Sequence, residues 1–146
     1  MGPRSTEAGQ MTPPLVELEI PSRSAYVAVV RLALASLARS AGLDEEVVDD
    51  LKIAVSEACA NAVLSHEEAG VDAPVSVSWI EEEDRLAVEI ADRGAPYDPD
   101  SPEPADGSGF SSRFTMSIAL LKSLVEDCEF GPREGGGMCT RLVFSR

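Results

Sequence analysis

Two polar side chains of one predicted helix have the types and spacing that phosphate chemistry needs. Glu57 and Asn61 lie four residues apart in the segment SEACANA, residues 56–62. Four residues of α-helix turn by about 400°, so the carboxylate and the amide lie side by side. A partly buried carboxylate can act as a general base, and an amide oxygen can bind Mg²⁺. The alternative is a solvated pair at a helix edge, which this spacing alone does not exclude.

A second candidate site follows a predicted strand. Asp92 and Gly94 occur in the sequence DRGAP, residues 92–96, at the start of a long loop. The carboxylate of Asp92 could accept a hydrogen bond from an exocyclic amine, and Gly94 would let the backbone approach a ligand closely. An ordinary Asp-x-Gly turn after a strand has the same sequence.

A third candidate is the pair Gly107 and Gly109, separated by one serine. Such glycines can offer backbone N–H groups to phosphate oxygens near the start of a helix. This short pattern is the weakest of the three.

The remaining reactive residue types predict no further site. His66 is the only histidine and has no Cys or His partner at metal-ligand spacing, so we interpret it as a solvent-facing residue near a helix end. Cys59, Cys128 and Cys139 are too scattered for a disulfide framework, and we interpret them as reduced core residues.

The elements that must position these residues can be predicted from periodicity. Alternating apolar and polar residues predict strands at 15–20, 75–80, 85–90, 125–130 and 138–144. Helical spacing predicts a first helix capped by Ser22 or Ser24 and closed by Gly42, a second from Asp44 to about His66, and a third over 114–124.

This order of elements predicts an α/β (α+β) two-layer sandwich, in which about three helices cover one face of a mixed, mainly antiparallel sheet. Residues 1–14 are rich in Gly and Pro and predict a flexible tail, which leaves 15–146 as a single domain. The Gly, Pro, Asp and Ser content between the fifth and sixth elements predicts a lid at about 93–114.

Composition restricts the classes of partner. The chain has 26 acidic and 12 basic residues and a net charge of -14, which disfavours direct nucleic-acid binding and is compatible with a basic protein partner or with a role in solubility alone. No window approaches the roughly 18 consecutive apolar residues of a membrane span. The N-terminal sequence MGPRST lacks the apolar core of a signal peptide, so we expect a cytoplasmic protein that is not integrated in a membrane.

Taken in order, the SEACANA segment, the DRGAP segment, the glycine-bearing loop, the helix and the Gly-rich final hairpin resemble the GHKL (Bergerat-fold) ATPase superfamily over about residues 15–144. Within it, the sequence is most similar to the small anti-sigma-factor serine/threonine-protein kinases of bacterial partner-switching systems. The resemblance implies ATP and Mg²⁺ as cofactors. It also implies a sigma factor and a STAS-type anti-sigma-factor antagonist as partners, and it leaves homodimerisation open.

The resemblance also implies a role for each matching residue. Glu57 resembles the general base that activates a serine hydroxyl, and Asn61 resembles the Mg²⁺ ligand. Asp92 resembles the residue that reads the adenine amino group, and Gly94 the glycine beneath the base. The implied function is an anti-sigma factor that binds ATP, sequesters a sigma factor and phosphorylates a Ser or Thr of the antagonist.

The sequence departs from the family pattern at two places. Thr115 and Ser117 stand where relatives usually have the Gly-x-Gly that holds phosphate, and Met138 stands where a threonine usually follows the hairpin glycine. Either Gly107 and Gly109 take over phosphate binding, or phosphate binding is weakened. The alternatives to an active kinase are therefore a kinase-impaired binding module on the same fold, and a nucleotide-independent interaction protein.

Overall fold

The computed structural model describes residues 12–94 and 110–146. In chain order, the elements are β1 Val16–Ile20, a 3₁₀ turn Ser24–Tyr26, α1 Val27–Ser40, α2 Glu45–Ala69, β2 Val75–Glu81, β3 Arg85–Ala91, α3 Phe110–Leu124, β4 Asp127–Pro132 and β5 Met138–Ser145.

The strands form one sheet in the order β1-β2-β3-β5-β4, and each neighbouring pair is antiparallel. In β2, Val75, Val77 and Trp79 are buried, whereas Ser76 and Ser78 between them are partly exposed. This period of two gives the sheet one apolar face, which packs against the helices. The predicted fold class, a two-layer arrangement with a mainly antiparallel sheet, is confirmed.

The helix α2 lies at the centre of the core. Glu45 and Glu46 place negative charge in its first turn, and Gly70, with φ of 68°, ends it in the left-handed conformation. Its side chains at Leu51, Val55 and Cys59 are fully buried in the same cluster as strand residues. This packing fixes the rotation of α2 and with it the direction in which its polar residues point.

Several predicted boundaries and caps differ from the structure. Neither Ser22 nor Ser24 caps α1, because residues 24–26 form a 3₁₀ turn and the N-cap position is Tyr26, without a side-chain cap. The helix α2 runs to Ala69 rather than ending near His66, α3 begins four residues earlier than its periodicity indicates, and β4 begins at Asp127 rather than at residue 125. Of the three cysteines, only Cys59 is a core residue, and the other two are half-buried free thiols.

Most of the predicted tail and lid lies outside the described residues. At the end of the tail, the hydroxyl of Thr12 donates to a carboxylate oxygen of Glu82 (3.2 Å). Of the helices formed by residues 12–94 and 110–146, none combines the length and apolar character that a membrane crossing requires.

Candidate active site

Three positions of α2 define the line along which the site is built. Glu57, Asn61 and Ser65 follow one another at intervals of four residues, which places them at successive turns, about 6 Å apart along the axis. Glu57 and Asn61 are half-buried, and Ser65 is buried. Each of the three faces a different part of the molecule.

Glu57, at the first position, lines an open pocket of about 650 Å³. The pocket lies between α1 and α2, and its wall carries the cations Arg31 and Lys52 and, besides Glu57, the carboxylate of Asp49. Arg31 donates from Nη1 to the hydroxyl of Ser56 (3.3 Å). Within the described chain, no hydrogen bond or ion pair engages the Glu57 carboxylate. This carboxylate is therefore available to a group that enters the pocket.

Asn61, at the second position, contacts α3. Its Nδ2 donates a hydrogen bond to the hydroxyl of Ser117 (2.6 Å), and Ser117 is buried. The Oδ1 atom lies on the other side of the carboxamide and is left as the free acceptor. An amide oxygen in this position can bind a hard cation such as Mg²⁺.

The third position meets the segment that follows β3. Gly94 packs against Ser65 so closely that a Cβ atom added to Gly94 would lie 2.8 Å from the carbonyl carbon and oxygen of Ser65. A glycine is needed here because the backbone of the loop rests directly on the backbone of α2. The close approach that the sequence predicts at Gly94 is thus made to the helix.

Asp92 lies at the end of β3 and is only 4% exposed. Its Oδ1 accepts hydrogen bonds from the backbone N–H of Gly94 (2.9 Å) and of Met138 (3.3 Å). Burial raises the pKa of the Asp92 carboxyl above its ordinary value, and the two N–H donors oppose part of that rise. Among the described residues nothing donates to Oδ2, so this oxygen remains free to accept a hydrogen bond from a ligand.

The interpretation of His66 as solvent-facing is wrong. Its side chain is 1% exposed, because α2 continues beyond it and the segment after β3 lies against this end of the helix. Nε2 accepts a hydrogen bond from the backbone N–H of Arg93 (2.7 Å), and Nδ1 lies 2.9 Å from the hydroxyl of Ser22. Because Nε2 accepts, the ring hydrogen is on Nδ1, which donates to Ser22. His66 therefore anchors the backbone between Asp92 and Gly94.

Two arginines hold the same segment against the β4–β5 hairpin. Nη1 of Arg93 donates to the carbonyl oxygens of Glu134 (2.7 Å) and Gly136 (2.9 Å). In return, Nη1 of Arg133 donates to the carbonyl oxygen of Asp92 (3.1 Å). Neither arginine was predicted as a site residue from the sequence. The position of Arg93 between Asp92 and Gly94 was the only available signal, and Arg133 had none.

Gly137 has a conformation and a contact that together require glycine. Its φ is 103°, and an added Cβ would lie 2.8 Å from the Cα of Arg93 and from the carbonyl carbon of Asp92. The neighbouring Gly136 has φ of 104°, but an added Cβ would meet nothing within 4 Å. The two glycines therefore share the same backbone conformation, but only Gly137 packs against the backbone of Asp92 and Arg93.

We expect Gly137→Ala to reduce the free energy of unfolding more than Gly136→Ala. Both variants carry a strain of about 1–3 kcal/mol from the unfavourable φ. Only Gly137→Ala also forces the hairpin away from Asp92, which adds about 1–3 kcal/mol of overpacking. Urea unfolding of the two variants measures the difference, and equal losses would contradict the close contact between Gly137 and Asp92.

The residues considered for phosphate binding lie on two sides of the start of α3. Thr115 and Ser117 lie inside α3, where backbone N–H groups bond to carbonyl oxygens of the preceding turn. The first N–H groups of a helix, which in α3 include those of residues 110–112, lack such partners. Gly107 and Gly109 lie outside the described residues, directly before the first residue of α3 in the sequence.

The described residues contain no group of three or more His, Cys, Asp or Glu side chains that could hold a metal ion. The Oδ1 atom of Asn61 is a hard oxygen donor, which fits Mg²⁺ of the kind that takes its other ligands from nucleotide phosphates and water.

Comparison with known proteins places the chain in a family. Residues 20–144 match the family model of the histidine kinase-like ATPase domain. The chain is 42% identical over 127 residues to the serine-protein kinase RsbW of Bacillus velezensis, covering 82% of this chain and 79% of that protein. It is 43% identical over 86 residues to the serine-protein kinase RsbW of Bacillus pumilus, covering 58% of this chain and 53% of that protein. The match thus spans about half the length of the Bacillus pumilus relative.

The fold has a similar counterpart among solved structures. A crystal structure of the RsbU and RsbW domains of a Mycobacterium tuberculosis protein superposes with a TM-score of 0.64 at 20% sequence identity, covering 92% of this chain and 33% of that one. At this identity, the superposition supports the fold alone. The family follows from the sequence matches: the chain belongs to the histidine kinase-like ATPase domain family and is related within it to the RsbW serine-protein kinases.

Proposed function

We propose that the protein is an anti-sigma factor that binds Mg²⁺ and ATP, sequesters a sigma factor and phosphorylates a Ser or Thr of a STAS-type antagonist. The observation that carries this proposal is the order of groups along α2. The Asp92–Gly94 segment packs at Ser65, Asn61 lies one turn away, and Glu57 lies one turn further, beside an open pocket. When ATP transfers its γ-phosphate, the adenine, the phosphates and the acceptor hydroxyl lie in this same order.

At the base end, Asp92 has the atoms needed to read an adenine amino group. Its Oδ1 is fixed by two backbone donors, so the free Oδ2 has a defined position. A buried acceptor without a partner favours a ligand that donates to it. We propose that Oδ2 accepts from the exocyclic amine and that Gly94 lies beneath the base.

At the phosphate end, we propose that Asn61 holds Mg²⁺ through Oδ1 and that Gly107 and Gly109 contribute backbone N–H groups to the phosphates. When bound, Mg²⁺ neutralises phosphate charge and makes the γ-phosphate a better electrophile. Free N–H groups occur at the start of α3, directly after these glycines in the sequence, which supports this assignment over one at Thr115 and Ser117.

At the acceptor end, Glu57 would remove the proton from a Ser or Thr hydroxyl that enters the pocket. The new bond joins this hydroxyl oxygen to the γ-phosphorus, and the bond from that phosphorus to the oxygen of the departing ADP breaks. The formal charges on the pocket wall cancel, because Arg31 and Lys52 are matched in number by the carboxylates of Asp49 and Glu57.

One observation favours a second candidate function, a binding module with impaired kinase activity. The Gly-x-Gly expected at 115–117 is replaced by Thr115 and Ser117, and both lie in the interior of α3. Their N–H groups are used by the helix in this conformation. A protein that still sequestered a sigma factor but transferred phosphate slowly would fit this arrangement.

Phosphate transfer and sigma-factor binding can be tested in one reconstitution. The protein is incubated with γ-labelled ATP, Mg²⁺ and the STAS-domain proteins and sigma factors of the same genome, with Asn61→Ala as the control variant. The proposed function predicts label on a Ser or Thr of one STAS protein, and a stable complex with one sigma factor. A sigma-factor complex without labelled STAS protein supports the second candidate. The absence of both the label and the complex overturns both candidates.

A further inference from the structure

Ser117 is a polar residue on the buried side of α3. The side chains of Phe114 and Leu121, on the same side of the helix, are 1% and 0% exposed, and that of Ser117 is 5% exposed. This stripe packs toward the core, where a hydroxyl without a partner destabilises the fold. The Nδ2 atom of Asn61, at 2.6 Å, supplies the partner.

This hydrogen bond determines how Asn61 presents its carboxamide. The oxygen and nitrogen of an amide point to opposite sides of the Cγ atom, so an amide that donates from Nδ2 to Ser117 turns Oδ1 away from α3. The Asn61 side chain is half-buried, whereas Ser117 is buried, so Ser117 forms the fixed end of the pair. Without the hydroxyl, the carboxamide could rotate about its terminal bond, since the torsion at that position has broad minima.

We propose that Ser117 is a positioning residue for the cation site: its hydroxyl holds the Asn61 carboxamide so that Oδ1 is aimed at the Mg²⁺ that accompanies the nucleotide. This inference rests on the proposed function and adds a residue to it. Partners of metal ligands act in this way in other sites, and their loss typically lowers metal affinity about 10- to 100-fold. Ser117 thus makes a side-chain contribution in place of the backbone contribution expected from a glycine.

The test separates affinity for the nucleotide from affinity for the cation. ATP binding is measured by calorimetry in EDTA and at a series of Mg²⁺ concentrations, for the wild type and for Ser117→Ala. We expect ATP affinity in EDTA to be unchanged and the Mg²⁺ concentration for half-maximal enhancement to rise about tenfold in Ser117→Ala. The matched control is Ser123→Ala, on the exposed side of the same helix, where the hydroxyl donates to the carbonyl oxygen of Leu120. This control should leave both values unchanged.

A double-variant cycle shows whether Ser117 acts through Asn61. If it does, Ser117→Ala has no further effect on Mg²⁺ dependence once Asn61 is alanine. An unchanged Mg²⁺ dependence in Ser117→Ala, or an equal loss of ATP affinity with and without Mg²⁺, overturns the positioning role while the proposed function stands. A wild type that binds no ATP under either condition overturns the proposed function, and the positioning role with it.

Discussion

Glu57→Gln is expected to slow phosphate transfer to the antagonist about 100- to 10,000-fold, because glutamine keeps the shape of the side chain and cannot accept the hydroxyl proton. Glu57 lies beside the open pocket, one helical turn from Asn61. In the described part of the chain, Glu57 forms no hydrogen bond with the Asp92–Gly94 segment, which would hold the adenine. ATP affinity should therefore stay close to the wild-type value, and the loss should appear in the rate of transfer.

Single-turnover transfer of labelled phosphate measures this rate, and calorimetry with Mg²⁺ and ATP measures the affinity. The matched control is Glu67→Gln, an exposed residue of the same helix, which should leave both quantities unchanged. Equal transfer rates for the wild type and Glu57→Gln would contradict the assignment of Glu57 as the base.

Asp92→Asn is expected to weaken ATP binding about 10- to 100-fold, the effect of losing a hydrogen bond to a charged acceptor. Asparagine can keep its Oδ1 on the N–H groups of Gly94 and Met138, as Asp92 does. Its NH₂ group then faces the exocyclic amine of adenine, so that two donors oppose each other. Because guanine has a carbonyl oxygen at that position, the preference for ATP over GTP should narrow by a similar factor.

Competition binding with ATP and GTP measures the preference directly. Asp84→Asn, an exposed residue of the β2–β3 turn, is the matched control for the loss of one negative charge. If Asp92→Asn lowers ATP and GTP affinity equally, Asp92 supports the loop without reading the base.

Much of the fold could be predicted because its elements have strong periodic patterns. The alternation in β2 and β3 and the helical spacing around Leu51 and Val55 are local properties of the chain. The start of α3 could not be predicted in this way, since Ser111, Ser112 and Arg113 are polar and only one apolar residue, Phe110, precedes them in that helix. The predicted caps at Ser22 and Ser24 were also wrong, because Ser22 is a hydrogen-bond partner of His66 and Ser24 begins the 3₁₀ turn.

In the candidate site, too, local features could be predicted and long-range contacts could not. Glu57 and Asn61 could be placed side by side from their spacing on α2, and Asp92 and Gly94 could be named as candidates from their place after a strand. The contacts that support them join distant parts of the chain: Ser117 lies 56 residues from Asn61, and Arg133 lies 41 residues from Asp92. Such contacts depend on how α3 and the β4–β5 hairpin dock, which no local pattern specifies.

The position of the nucleotide is the central claim, and amide chemical shifts of the isotope-labelled protein titrated with Mg²⁺ and ATP test it most directly. We predict large shifts at Gly94 and Asp92 and at the side-chain NH₂ of Asn61, with Gly131, on the edge strand β4, as an unaffected reference. Saturable shifts confined to residues away from α2 and the end of β3, or no shifts at millimolar ATP, would contradict the account.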